Sequence, residues 1–87
     1  MAKRRDSSDI APGTRVACDV NVGDRDIGRM TRRGLIVVCV AKPSEPDEDF
    51  LWRAYAAGAT VVFSQDADIG NIIDRNNWTD VQWREWH

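Results

Sequence analysis

Apolar positions along the chain form four short runs, separated by three stretches in which they recur at helical spacing. Arg15–Val20 (RVACDV) predicts a first strand. Asp24–Arg33 predicts a helix with Ile27 and Met30 on one face and Gly34 placed to close it. Gly28 weakens that helix by up to ~1 kcal/mol relative to Ala. Leu35–Val40 (LIVVCV) is apolar throughout and β-branched, which predicts a strand covered on both faces, as in a parallel sheet. Pro43 and Pro46 punctuate a loop. Asp47–Ala57 predicts a second helix, with Phe50, Leu51, Ala54 and Tyr55 on its apolar stripe and Gly58 at its end. Ala59–Ser64 predicts a third strand. Asp68–Arg75 predicts a third helix, with Ile69, Ile72 and Ile73 facing inward, and Asn76–Asn77 a turn. The two-residue spacing of Val81 and Trp83 predicts a short last strand.

The order βαβαβαβ, with short loops and right-handed crossovers, predicts an α/β sandwich around a mainly parallel sheet. The last strand can lie at an edge in either direction. Residues 1–14 are polar and end in Ala-Pro-Gly-Thr, which reads as a mobile basic tail and an entry turn. Residues 15–87 then form the domain.

Length and charge narrow the function. Eighty-seven residues make one domain, with no room for a separate substrate domain. The formal net charge of −2 gives no global positive field, so nucleic-acid binding would need a local basic patch or a metal. Cys18 and Cys39 have no CxxC spacing and no neighbouring His, which predicts buried thiols in a reducing compartment and no zinc. No apolar stretch approaches a membrane span and the N-terminus is not a signal peptide, so the expectation is a cytoplasmic protein with no membrane partner.

Four acids occupy positions of chemical interest. Asp19, Asp47, Asp66 and Asp68 either close an apolar run or open a helix. In a parallel α/β sheet such places converge on one edge, where clustered carboxylates bind a divalent cation or repel each other. The bland alternatives are local: Asp47 follows Pro46 as a first-turn charge, and Asp66 or Asp68 caps the third helix. Glu48 and Asp49 read as solvent-facing. Arg25, Arg29, Arg32 and Arg33 gather on one face of the first helix. With Lys3, Arg4 and Arg5 they form either a solvated face, a grip for phosphates, or a surface for an acidic partner. Of the four tryptophans, Trp52 falls on the second helix, while Trp78, Trp83 and Trp86 crowd the C-terminus. Most read as core or sheet cover, and an exposed Trp86 would mark a protein-contact edge. His87, the single histidine, is a poor general base at the chain end.

CDVN, followed by a helix and then by PDEDFLWRAYAAGATVVFSQDADIGNII, resembles the small PIN-like domains of the DUF5615 or Mut7-C type. Asp19 and Asn21 match the outer positions of that family's D-E-N element, Asp47 the Asp that opens its second helix, and Asp66 and Asp68 the acids after its third strand. The resemblance covers about residues 15–87. Val20 stands where the family has Glu, Ser64 where it has Thr, and Ile69 where it has Phe. The resemblance implies a Rossmann-like three-layer sandwich with strand order near 2-1-3-4 and a ligand-binding switch point between the first and third strands. It further implies Mg²⁺ or Mn²⁺ held by Asp19, Asp47, Asp66 and Asp68. The activity it implies is cleavage of RNA or single-stranded nucleic acid, often as the toxin of a toxin–antitoxin pair; the residues themselves then suggest Asn21, Arg25, Arg29 and Arg32 as contacts to the substrate. The alternative is a non-catalytic member, regulatory or phage-type, that docks on an antitoxin or a larger protein complex.

Overall fold

In the computed structural model, which describes residues 9–86, the seven elements follow the expected order. Strand β1 spans Arg15–Cys18, helix α1 Asp24–Arg32, β2 Ile36–Val40, α2 Asp47–Ala56, β3 Val61–Ser64, α3 Ala67–Arg75 and β4 Gln82–Glu85. The sheet is parallel throughout, in the order β2-β1-β3-β4. The central strands β1 and β3 are buried along almost their whole length. On one face Phe50, Leu51 and Ala54 of α2 and Ile69, Ile72 and Ile73 of α3 pack on Ala17 and Val62. On the other face Met30 and Ile27 of α1 pack with Val16, Cys18, Val61 and Phe63. Odd and even strand positions thus feed separate cores, as the two-residue period of a strand requires.

Strand β2 departs from its apolar sequence. It lies at the sheet edge and is not covered on both faces: Ile36 and Val40 are 47% and 43% exposed. A bulge at Val38, which has no partner between the pairs Val16–Val37 and Ala17–Cys39, further disturbs this edge. Bulged edges resist pairing with other chains, which explains how so apolar a strand is tolerated there. Strand β4 forms the opposite, parallel edge. Trp86 is buried with its ring edge-on to Phe63 at 5.2 Å, so the exposed-Trp86 condition for a contact edge fails. Trp83 is half-buried and donates from its indole nitrogen to the Ser64 carbonyl at 3.1 Å. The exposed tryptophan is Trp52.

All three helices stop in the same way. Gly34, Gly58 and Asn77 adopt positive φ after α1, α2 and α3, and each following residue donates its N–H five residues back: Leu35 to Met30, Ala59 to Ala54, Trp78 to Ile73. This is the Schellman arrangement, and Leu35, Ala59 and Trp78 enter the core directly from it. Residues 9–14 are tied to the domain as well. Gly13 N–H donates to the Gly34 carbonyl at 2.8 Å, Ile10 packs on the α1-side core, and Asp9 meets Arg84 at 3.1 Å. Among the described residues no helix is long and apolar enough to cross a membrane.

Gly34 combines a φ of +91° with a close neighbour, because a Cβ there would stand 3.0 Å from the Pro12 Cβ. Gly34→Ala is therefore expected to destabilise the fold by about 1–2 kcal/mol in urea denaturation. Asn77→Gly, at a φ of 57°, is expected to stay within about 0.5 kcal/mol of the parent. Equal losses for the two changes would contradict a glycine requirement specific to Gly34.

Candidate functional site

Parallel strands preceded and followed by helices bring the C-termini of β1 and β3 and the N-termini of α2 and α3 to one edge of the sheet. All four sequence-selected acids arrive there. Asp19 follows β1, Asp47 opens α2, Asp66 caps α3 and Asp68 lies in its first turn. The positive ends of two helices face the same edge, which favours carboxylates.

Ser64, fully buried at the end of β3, organises this edge. Its hydroxyl donates to Asp19 Oδ2 at 2.6 Å and accepts the Asp66 backbone N–H at 3.0 Å. Its carbonyl accepts from Trp83 and from the Trp86 backbone N–H. The other oxygen of Asp19, a residue only 7% exposed, accepts the Val20 N–H at 2.8 Å. Both oxygens of Asp19 are thus oriented, with lone pairs remaining on each. Asp66 Oδ1 accepts the Asp68 N–H at 2.9 Å, so Asp66 is a helix cap as well as a member of the acid group. Asp47 is not a cap: α2 begins after Pro46 with no side-chain cap bond.

Asp47 is held in place from behind. Glu45 accepts Arg53 Nε at 2.8 Å and Nη2 at 2.7 Å, and also the Lys42 N–H at 3.0 Å. Arg53 Nη2 also reaches the Val40 carbonyl at 3.1 Å. This bidentate pair closes the loop between β2 and α2 and lowers the Glu45 carboxyl to about 2 through the Arg53 hydrogen bonds. The latch was not anticipated. Its only trace in the sequence is a charged pair bracketing Pro46, in a loop stiffened by two prolines.

The acids feel one another. Partial burial, then a hydrogen bond to Asp66 and the charges of Asp66, Asp19 and Asp68, raise the Asp47 carboxyl to about 6. Asp47 therefore keeps its proton in mildly acidic solution. Yet among the described residues no three His, Cys, Asp or Glu side chains are gathered as a group that could hold a metal ion. The two findings differ in range: Coulomb repulsion extends beyond the reach of a ligand bond, so four acids share a field without sharing one coordination sphere. Mg²⁺ needs only one or two protein carboxylates and keeps several waters, so the Asp47–Asp66 pair fits it as a donor set.

The remaining residues are distributed around this edge. Asn21 is half-buried in the turn after β1, and its Oδ1 is buried without a hydrogen-bond partner. Val20 is 56% exposed beside Asp19. Arg25, Arg29, Arg32 and Arg33 are all exposed along α1, and Arg29 makes a 3.7 Å ion pair with Asp26. Because α1 runs away from the acidic edge at about 1.5 Å per residue, Arg25 is nearest the acids and Arg32 lies about 10 Å farther along the helix. Cys18 and Cys39 are free and buried in different cores; burial pushes the Cys18 thiol up to about 12. His87, Lys3, Arg4 and Arg5 lie outside the described residues.

The raised Asp47 carboxyl fixes a sign for the pH dependence of stability. The native state holds this proton up to about pH 6, whereas the unfolded chain loses it near the ordinary aspartate value of 3.8. The stabilisation from protonation is therefore present at low pH and lost as pH rises through about 6. Asp47→Asn is expected to stabilise the protein by about 1–2 kcal/mol at pH 7.5 in chelator, and by close to nothing at pH 4. Denaturation curves across that range check this, and a pH-independent difference would rule out the raised Asp47 carboxyl.

No family model matches the chain, and neither a curated protein nor a solved structure matches it.

Proposed function

We propose that this chain is a PIN-like domain that cleaves single-stranded RNA with the help of Mg²⁺ or Mn²⁺. The observation that carries the reading is the meeting of Asp19, Asp47, Asp66 and Asp68 at the C-terminal edge, beside the switch point between β1 and β3. In an open α/β sheet this crevice is the general place for a ligand, and the acids there are held by built-in supports, not left on mobile loops. A bound cation would neutralise the scissile phosphate and supply an activated water. Asp47 and Asp66 are the residues to hold it, since a cation would relieve the repulsion that helps raise the Asp47 carboxyl. Asp19, fixed by Ser64 and Val20, orients from the β1 side, and Asp68 stands at the margin of the field. Arg25, Arg29 and Arg32 trace a line away from the acids that suits successive phosphates of a single strand. Asn21, with its unpartnered buried oxygen, faces an unmet hydrogen bond that a substrate or a water would satisfy.

A second reading is favoured by one observation. Val20 is exposed and apolar where the resemblance places an acid, and no three-ligand group is formed among the described residues. On this reading the chain is a non-catalytic module that docks on a protein, such as an antitoxin or a larger complex.

Incubation of labelled single-stranded RNA with Mn²⁺ separates the two. The nuclease reading expects cleavage that chelator abolishes, that falls to background in Asp66→Asn, and that drops about 10- to 100-fold in Asp19→Asn, whose effect is through positioning. Absence of cleavage by the parent, or cleavage undiminished in both variants, would remove the nuclease and leave the module.

A further inference from the structure

The two outer faces of the sandwich carry opposite chemistry. The α1 face presents the exposed Arg25, Arg29 and Arg32 at helical spacing. The α2–α3 face, on the other side of the sheet, presents an aromatic cluster. Tyr55 lies flat on Trp78 with centroids 4.4 Å apart, and Trp52 stands perpendicular to both. Trp78 is buried beneath, but Trp52 and Tyr55 are 52% and 40% exposed, among the most exposed large apolar side chains of the described residues. Glu48 and Asp49 sit one helical turn before Trp52, and Asp74 lines the shallow cavity beside Trp78, about 300 Å³ in volume. Arg53, the basic residue next to Trp52, is occupied by Glu45 and the Val40 carbonyl, which leaves Arg75 as the other exposed base on this layer. An exposed indole flanked by carboxylates is a binding surface for a guanidinium, through ring-face attraction and ion pairing together.

We propose that the chain associates with a second copy of itself head to tail, with the α1 arginine face of one copy seated on the Trp52–Tyr55 face of the next. Charge complementarity names this occupant: the cationic helix that the acidic aromatic face requires is carried by the same molecule, on the side it does not use itself. A formal net charge of −2 sets little overall repulsion against the contact. Tryptophan and arginine are also the residues that dominate protein contacts. The two patches differ, so the contact is heterologous and adds copies in a row instead of closing as a two-fold dimer. It does not depend on the chemistry at the acidic edge. It does draw on the same arginines, so single-stranded RNA bound along α1 would compete with it.

Sedimentation velocity of the full chain tests the proposal. At about 20 mM salt the weight-average sedimentation coefficient is expected to rise at least about 1.5-fold with protein concentration, and to return to the monomer value in about 0.5 M salt. Arg29→Ser/Arg32→Ser should be monomeric alone, and so should Trp52→Ala/Glu48→Gln. An equimolar mixture of the two should form a one-to-one heterodimer and grow no further, because each variant keeps the face the other has lost. Glu48→Gln/Asp49→Asn, which leaves the aromatic packing intact, should behave in the mixture as the tryptophan variant does. A parent that stays monomeric at low salt, variants that associate as the parent does, or a mixture that remains monomeric would each overturn it.

Discussion

The hydrogen bond from Ser64 to Asp19, 2.6 Å long and closed to solvent, is the contact on which the acidic edge depends. It joins the C-terminal ends of the two central strands at the point where the strand order reverses, β2 lying on one side and β4 on the other. Each partner is a polar group in a core, and each would cost about 1–3 kcal/mol if left unpaired. The same serine accepts the Asp66 N–H, and its carbonyl takes both Trp83 and the Trp86 N–H. One residue thereby sets the angle of Asp19, starts α3 through Asp66 and fastens β4 to the sheet.

Asp47 reaches the same edge by a different route. It is positioned by a loop that Arg53 and Glu45 clamp from outside, and partial burial, followed by its acidic neighbours, raises its carboxyl to about 6. The edge is therefore supported on one side by a buried hydrogen bond and on the other by an exposed ion pair. Exposed pairs weaken with salt whereas buried contacts do so much less. The Asp47 side is therefore the more salt-sensitive of the two. Arg53 serves a second purpose, since its bond to the Val40 carbonyl occupies the end of the open β2 edge that the Val38 bulge already disturbs.

Local chemistry made most of this architecture readable in the sequence. Gly34 and Gly58 end helices where positive φ is needed, apolar spacing places Met30, Phe50, Leu51 and Ile69 inward, and the parallel order follows from strands alternating with helices. Position within the sheet was not readable from strand composition; the order 2-1-3-4 that the sheet adopts was implied by the family resemblance. LIVVCV has the composition of a two-sided strand, yet β2 is an edge, because side-chain type reports affinity for burial and not which strand lies beside it. Trp86 is buried against Phe63, as the core reading of the tryptophans expects, while Trp52 is left outside against Tyr55 and Trp78. At the site, the identities and chain positions of the acids were legible, since each closes a strand or opens a helix. The role of Ser64 was not, because its partner lies 45 residues away and no local pattern announces it. The raised carboxyl of Asp47 depends on how the fold buries it and brings the acids together, which spacing along the chain does not encode.

Paramagnetic broadening by Mn²⁺ in amide-resolved NMR spectra tests most directly whether this edge is where a cation belongs. At a small fraction of an equivalent, the amides of Val20, Asp47, Asp66 and Asp68 should vanish first. Those of Gly34 and Gly58, at the opposite ends of the strands, should persist. Broadening spread evenly over the acidic surface, or centred on Glu48, Asp49 and Asp74, would contradict a cation site at the switch point.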